Sequence, residues 1–301
     1  MNAILMYGRA LGLRAFVLVA TVSAVFATSS PAAEPAAHSP DPLVMVVMDP
    51  LAKPLSCPCV KGYAQRDYDQ LGERLAVELG RPVKVVYNES LLAALRTEGV
   101  DRADIVIGKQ SVVEFDGRRC DLPLRHVARL TGKDGSTTMT GLIVVATGDP
   151  AQSVADLAGY RIIFGPAECN EKHAAAMQLL KAHGVATPAE PETAAACDEG
   201  ACLILELEGD EHGAAVISSY AKPLLEGCGT VEKGALRVVG ETEPVPFVAA
   251  FTSGSLDAAT SDRVAKALVA VTREPAIRIA LETQHGFVAV EQPAAVTAKK
   301  K

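Results

Sequence analysis

An α/β protein built as two lobes with a helical tail is what this sequence predicts, and three observations carry the prediction. Short apolar runs of strand length alternate with amphipathic helical stretches, as in LVMVVM at 43–48 followed by YDQLGERLAVEL at 68–79. The alternation occurs twice, over 43–108 and again over 141–239. At about 150 residues per domain, the 301 residues suggest one large or two smaller domains. With 49 % hydrophobic and 22 % charged residues the chain buries a sizeable core, which excludes wholesale disorder.

Taken in order, 43–48 is a continuous apolar run of the kind found in buried parallel strands. In 68–79, Leu71, Leu75 and Leu79 fall four apart on one helical face, and Gly80 and Pro82 stop the helix. A strand over 83–87 follows, then a helix over 90–98 with Ser90 as N-cap, then a strand over 103–108. That order predicts a mostly parallel sheet flanked by helices. The second half repeats it with strands over 141–146, 160–165, 213–217 and 236–239, and helices over 154–158, 171–182 and 220–226. The stretch 203–208 reads as a helix end or a strand, and 262–272 and 275–283 as two closing helices. Crossings between lobes are expected near 125–130 and 237–243. The first lobe is then 43–130 with 242–290, the second 131–241, and a hinged ligand cleft lies between them.

The first 27 residues read differently. Arg9 and Arg14 without any acid, a 13-residue apolar stretch over 15–27 and small residues after it describe a secretory signal peptide. Cleavage is expected after Ala27, with a second cut available after Ala33. Thirteen apolar residues are short for a bilayer, which takes about 20. Residues 28–42 form a Pro/Ala/Ser leader and 291–301 a disordered basic tail. Loss of two arginines leaves 27 Lys plus Arg against 36 acids, so the formal charge of −7 becomes −9 in the mature chain. An acidic protein with pI near 5.5 lacks the cationic surface that nucleic acid requires.

Export makes oxidation of the seven cysteines permissible. Cys197 and Cys202 bracket a short polar stretch and are expected to bridge across a loop as a disulfide. Cys57 and Cys59, in Cys57-Pro58-Cys59, are too close to pair comfortably with each other. Each pairs elsewhere, or both bind a soft metal, although no CxxC or HxxxH supports a metal site.

Several stretches together carry a resemblance. GRPVKVV at 80–86 and ADIVIG at 103–108 resemble the first lobe of phosphate/phosphite/phosphonate-type solute-binding proteins, the periplasmic receptors of ABC importers. DLAGYRIIFG at 156–165 resembles the family's DLAGKRIAFG, AAVISSY at 214–220 its AAAVDSY, and EPVP at 243–246 its later proline-containing hinge segment. The similarity runs over roughly 43–290 in the right order. It implies the type II, transferrin-like, two-lobed periplasmic binding fold, with a small molecule or ion as ligand and an ABC permease in the membrane as partner. It implies a monomer with no cofactor and no catalysis.

In that fold the ligand is held by N–H groups and hydroxyls at helix N-termini between the lobes. The candidate contacts are Tyr63 and Gln65 before the first helix, Lys109, Gln110 and Ser111 after the third strand, and the hydroxyls of Ser136, Thr137 and Thr138. Ser218, Ser219 and Tyr220 open a later helix. One departure stands out. Where the family carries a run of small hydroxyl residues after FGP, this chain has AECNEKH at 167–173, and serine (Ser218) replaces the acid of AAAVDSY. Carboxylates at a helix N-terminus complement the dipole themselves and repel an oxyanion. Glu168, Asn170, His173 and Cys169 therefore point to a cationic, zwitterionic or metal-bearing ligand, not a free phosphonate. Two other readings compete: a sensory or accessory subunit of the same fold, and a redox or metal-binding protein using Cys57 and Cys59 with His126 or His173. No GxSxG, HExxH, P-loop or GxGxxG supports an enzyme.

Overall fold

The computed structural model describes residues 41–56 and 65–290. The signal peptide, most of the leader, the basic tail, Cys57, Cys59 and Tyr63 lie outside the described residues. Among those described, no helix is long and apolar enough to cross a membrane.

Two sheets organise the chain. The first contains β1 (Leu43–Met48), β2 (Val83–Tyr87), β3 (Ile105–Lys109), β4 (Leu124–Leu130), β11 (Val248–Ser253) and β12 (Phe287–Ala289), in the order β12-β4-β11-β3-β1-β2. The second contains β6 (Gly141–Ala146), β7 (Arg161–Ile163), β8 (Gly213–Ser218) and β9 (Leu236–Glu241), in the order β7-β8-β6-β9. The continuous apolar run of β1 has a simple cause: every residue is buried, and alternate side chains enter different cores. Leu43, Met45 and Val47 pack with Leu71, Leu75 and Leu79 of α1 (Tyr68–Leu79) and with Val264, Leu268 and Val271 of α7 (Ala258–Val271). Val44, Val46 and Met48 face Leu91, Ala94 and Val113. Gly80 closes α1 at φ 62°, a left-handed cap that glycine adopts without strain.

Four of the six strands of the first sheet and three of the four of the second run the same way, as expected of mostly parallel sheets, and β6, β11 and β12 run against them. Because the reversed strands lie between or beside the others, the adjacent strand pairs that are parallel among the described residues are β1–β2, β1–β3 and β7–β8. The reason is where the chain crosses. Both crossings are short strands paired with each other, β5 (Thr138–Met139) and β10 (Val245–Pro246). After each, the chain enters the next sheet from the edge that faces the other sheet. β6 and β11 are thus inserted antiparallel between strands running the opposite way. The stretches 125–130 and 237–243, expected as crossings, belong largely to β4 and β9 inside the sheets.

Local corrections have equally local causes. The helix expected over 90–98 is one turn, α2 (Leu91–Ala94), and Ser90 makes no side-chain cap. The Leu91 N–H donates instead to buried Asp116, at 2.8 Å, on α3 (Gln110–Arg119). The helix expected over 171–182 starts later, as α4 (Ala174–Ala182), and the helix over 154–158 is a 3-10 turn (Val154–Leu157) with a Ser153/Asp156 capping box.

The expected Cys197–Cys202 disulfide is overturned, and both thiols are free. They lie on one helix, α5 (Cys197–Leu205), not across a loop. Five residues of helix rise about 7.5 Å, beyond the roughly 4.4–6.8 Å that a disulfide allows between Cα atoms. Alkylation of the unreduced, denatured protein is expected to label Cys197 and Cys202 separately. A cross-linked peptide carrying neither label would contradict the helix.

Candidate ligand cleft

The carboxyl ends of β1, β3 and β4 point to the same side as the crossings, and so, from the second sheet, do those of β7, β8 and β9. This is the edge where α/β sheets receive ligands. Two adjoining chambers lie there. The first, about 520 Å³, is walled by Met48, Leu51, Leu55, Lys109 and Val112 from the first lobe and by Pro166, Cys169, Cys197 and Leu225 from the second. Glu89, Glu168, Lys172, Asp198 and Cys228 also line it. The second, about 410 Å³, is lined by Arg66, Ser136, Thr138, Ser219 and Phe247. Leu51, Tyr220 and Leu224 belong to both and form the wall between them.

At the base of the first chamber Lys109, the last residue of β3, donates to Oε1 of Glu171, in the turn between β7 and α4. Ser218, which ends β8, donates its hydroxyl to the same oxygen at 2.8 Å. The three are 7 %, 1 % and 0 % exposed. Burial alone raises a carboxyl, but Lys109 and the two hydrogen bonds outweigh it and hold Glu171 below the usual carboxylate value. Burial likewise opposes the charge on Lys109, yet Glu171 keeps its ammonium protonated well above the ordinary lysine range. The Ser218 N–H donates to Cys197 Sγ at 3.4 Å, and burial pushes the Tyr220 hydroxyl well up. Beside this pair, Ser111 Oγ donates to the Glu168 carbonyl at 2.7 Å and accepts the Asn170 N–H at 3.3 Å. The junction of β3 with α3 is therefore tied twice to the β7–α4 turn.

A second buried constellation supports the wall. Asp49, just after β1, accepts from Arg66 Nη1 at 2.8 Å, the Tyr68 hydroxyl at 2.5 Å and the Leu51 N–H at 3.0 Å. Arg66 is 4 % exposed, and despite that burial Asp49 keeps its guanidinium charged beyond the ordinary range. Its Cζ lies 5.4 Å from the ring centre of Phe247, which stacks on Tyr220 at 5.6 Å.

The expected site residues divide among these places. Lys109, Glu168 and Tyr220 line the first chamber, and Ser136, Thr138, Ser219 and Tyr220 the second. Ser111, Asn170 and Ser218 make the ties just described. Ser136 and Thr138 hydrogen-bond each other at 2.9 Å, and the Thr137 carbonyl accepts the Phe247 N–H. Gln110 opens α3 and bonds Glu114, while Gln65 lines neither chamber. His173 turns its Nδ1 to the Gly165 carbonyl at 2.8 Å, fastening the loop that carries Glu168. His126 stacks on Phe251 within the first sheet. Among the described residues no three His, Cys, Asp or Glu side chains converge as a metal site. Sequence reading missed Asp49, Arg66 and Glu171. Asp49 carried one usable signal, an acid directly after a wholly apolar strand.

Among curated proteins none matches the sequence. Solved structures share the fold. A Xanthomonas citri protein solved with ATP superposes with TM-score 0.61 at 16 % identity, over 83 % of this chain and 91 % of that one. A binding-protein component of an ABC phosphonate transporter from Pseudomonas aeruginosa gives 0.61 at 11 % identity, over 83 % and 82 %. PhnD1 of Prochlorococcus marinus, in complex with methylphosphonate, gives 0.60 at 12 % identity, over 83 % and 92 %. The family model for the periplasmic substrate-binding protein of ABC phosphonate transporters matches residues 62–294, every strand after β1 and both crossings included. This two-lobed α/β chain belongs to that family of periplasmic substrate-binding proteins.

Proposed function

We propose that this chain is exported, with its signal peptide removed, and captures a small ligand in the first chamber. Two lobes, 43–130 with 242–290 and 131–241, hinge on the β5–β10 pair and present that ligand to an ABC permease. We further propose that the ligand is a cationic or zwitterionic small molecule with an apolar part, not a free phosphonate. One observation carries this reading. Of the two buried cations on the chamber, Lys109 is already neutralised by Glu171, while Lys172 keeps its charge and donates its Nζ to the Ala195 carbonyl at 3.3 Å. Against that one positive charge stand three acids of the lining, Glu89, Glu168 and Asp198, set among aliphatic side chains. Such a field attracts positive charge and repels oxyanions. The thiols of Cys169, Cys197 and Cys228 add a soft component, so thiophilic cations belong in the same test.

The test is a thermal-shift panel of amines, amino acids, betaines and metal ions on the native protein. A ligand at about 100 times its Kd adds about 2.7 kcal/mol of stability, a rise of several degrees. A member of the cationic or zwitterionic set is expected to give that rise, and an Asp198→Asn or Glu168→Gln variant to reduce it. A panel in which only oxyanions stabilise the protein would overturn the reading.

A further inference from the structure

We propose that Glu171 is an internal ligand: its carboxylate fills an oxyanion seat formed between the lobes by Lys109 and Ser218, and so sets the specificity of the cleft against anions. Three observations converge. First, Lys109 and Ser218 come from strands of different sheets, β3 and β8, yet both donate to the single oxygen Oε1. An ammonium and a hydroxyl reaching across a cleft to one carboxylate oxygen is the donor set a bound anion would receive.

Second, the carboxylate is delivered by rigid backbone. The Lys172 and His173 N–H groups both bond the Cys169 carbonyl, at 3.0 and 2.9 Å, closing the turn around Glu171. The Glu171 peptide lies directly on the start of β6, where a Cβ on Gly141 would collide with its carbonyl and stand 2.9 Å from its carbon. Only glycine at 141 lets the turn sit this low. Third, the seat lies directly behind the chamber wall, because Lys109 lines the chamber and Glu171 and Ser218 are buried beneath it. Shortening Glu171 to alanine therefore removes an acetate-sized group and leaves both donors facing a space that a small carboxylate or oxyanion can enter.

The proposal rests on reading the first chamber as a ligand site. Its test uses variants and added anions, so its failure leaves the outcome of the native panel untouched. Scanning calorimetry is run on the native protein, Glu171→Ala, Glu171→Gln and Lys109→Met/Glu171→Ala, in sodium acetate or sodium phosphate against sodium chloride of equal ionic strength. Glu171→Ala is expected to gain about 4 °C in 100 mM acetate over chloride, the size of a site filled well above its Kd. The native protein, the glutamine variant with its seat still filled, and the double variant without its cation are expected to gain nothing. Equal gains in the native and alanine proteins would overturn the proposal. So would rescue that survives loss of Lys109, or an alanine variant that folds only when Lys109 is also removed.

Discussion

Replacing Lys109 with methionine is expected to cost about 3–5 kcal/mol of folding stability, read from urea unfolding at pH 7. The substitution keeps the volume but leaves Glu171, 1 % exposed, as a carboxylate without a counter-charge, held by the Ser218 hydroxyl and its own backbone N–H. The double variant Lys109→Met/Glu171→Met is expected to recover most of the loss, because an ion pair replaced by apolar groups of similar size is often close to neutral. A Lys109→Met protein as stable as the native one would show that the pair carries no such coupling. The pH dependence has a definite sign. The Glu171 carboxyl titrates lower in the folded chain than its ordinary 4.5, so its contribution is complete above that value and is lost as pH falls through the folded one. Lys109 titrates higher than its ordinary 10.5, so its contribution is complete below that and is lost only in strong base. The native protein is thus expected to lose stability below about pH 4.5 more steeply than the double variant.

Asp49→Ala is expected to be comparably damaging, at about 3–5 kcal/mol. Three donors lose their acceptor at once: the Arg66 guanidinium, the Tyr68 hydroxyl and the Leu51 N–H. Arg66 is the decisive one, since its charge is nearly sealed from water. Adding Arg66→Met to Asp49→Ala is expected to restore part of the stability, as it removes the stranded charge. The consequences reach the cleft. Arg66 lies over Phe247, and Phe247 stacks on Tyr220 in the wall between the chambers. A ligand found by the panel is therefore expected to bind more weakly to the double variant. Unchanged affinity would show that the wall holds without the guanidinium.

The legible parts of this fold were those with a local cause. β1, α1 and β6 follow from uninterrupted apolar runs, four-residue leucine spacing and glycine stops, β2 from its β-branched VKVVY between Pro82 and Asn88, and the structure places all four where the sequence does. β4 was not legible, because Arg125, His126 and Arg129 interrupt its apolar residues while the strand is buried by neighbours on both sides. The reversal of β6 and β11 was not legible either. It depends on the side from which the chain re-enters a sheet, and that is fixed by the paired crossings 106 residues apart at Met139 and Val245. The same limit applies to the cleft. Lys109 is visible as a cation at a strand end, but Glu171 lies 62 residues away with no local signature linking the two. Cys197 and Cys202 looked like loop residues because their segment is polar and glycine-containing, and their helix buries only Gly200, Ala201 and Ile204.

The native cleft is expected to refuse phosphonates. Titration calorimetry of the native protein with methylphosphonate, at pH 7 and moderate salt, measures this without any variant. With Lys109 held by Glu171 and acids on the lining, no saturable heat is expected up to about 1 mM ligand. Saturable one-site binding in that range or tighter, competed by phosphate, would contradict the assignment of Glu171 and the ligand class together.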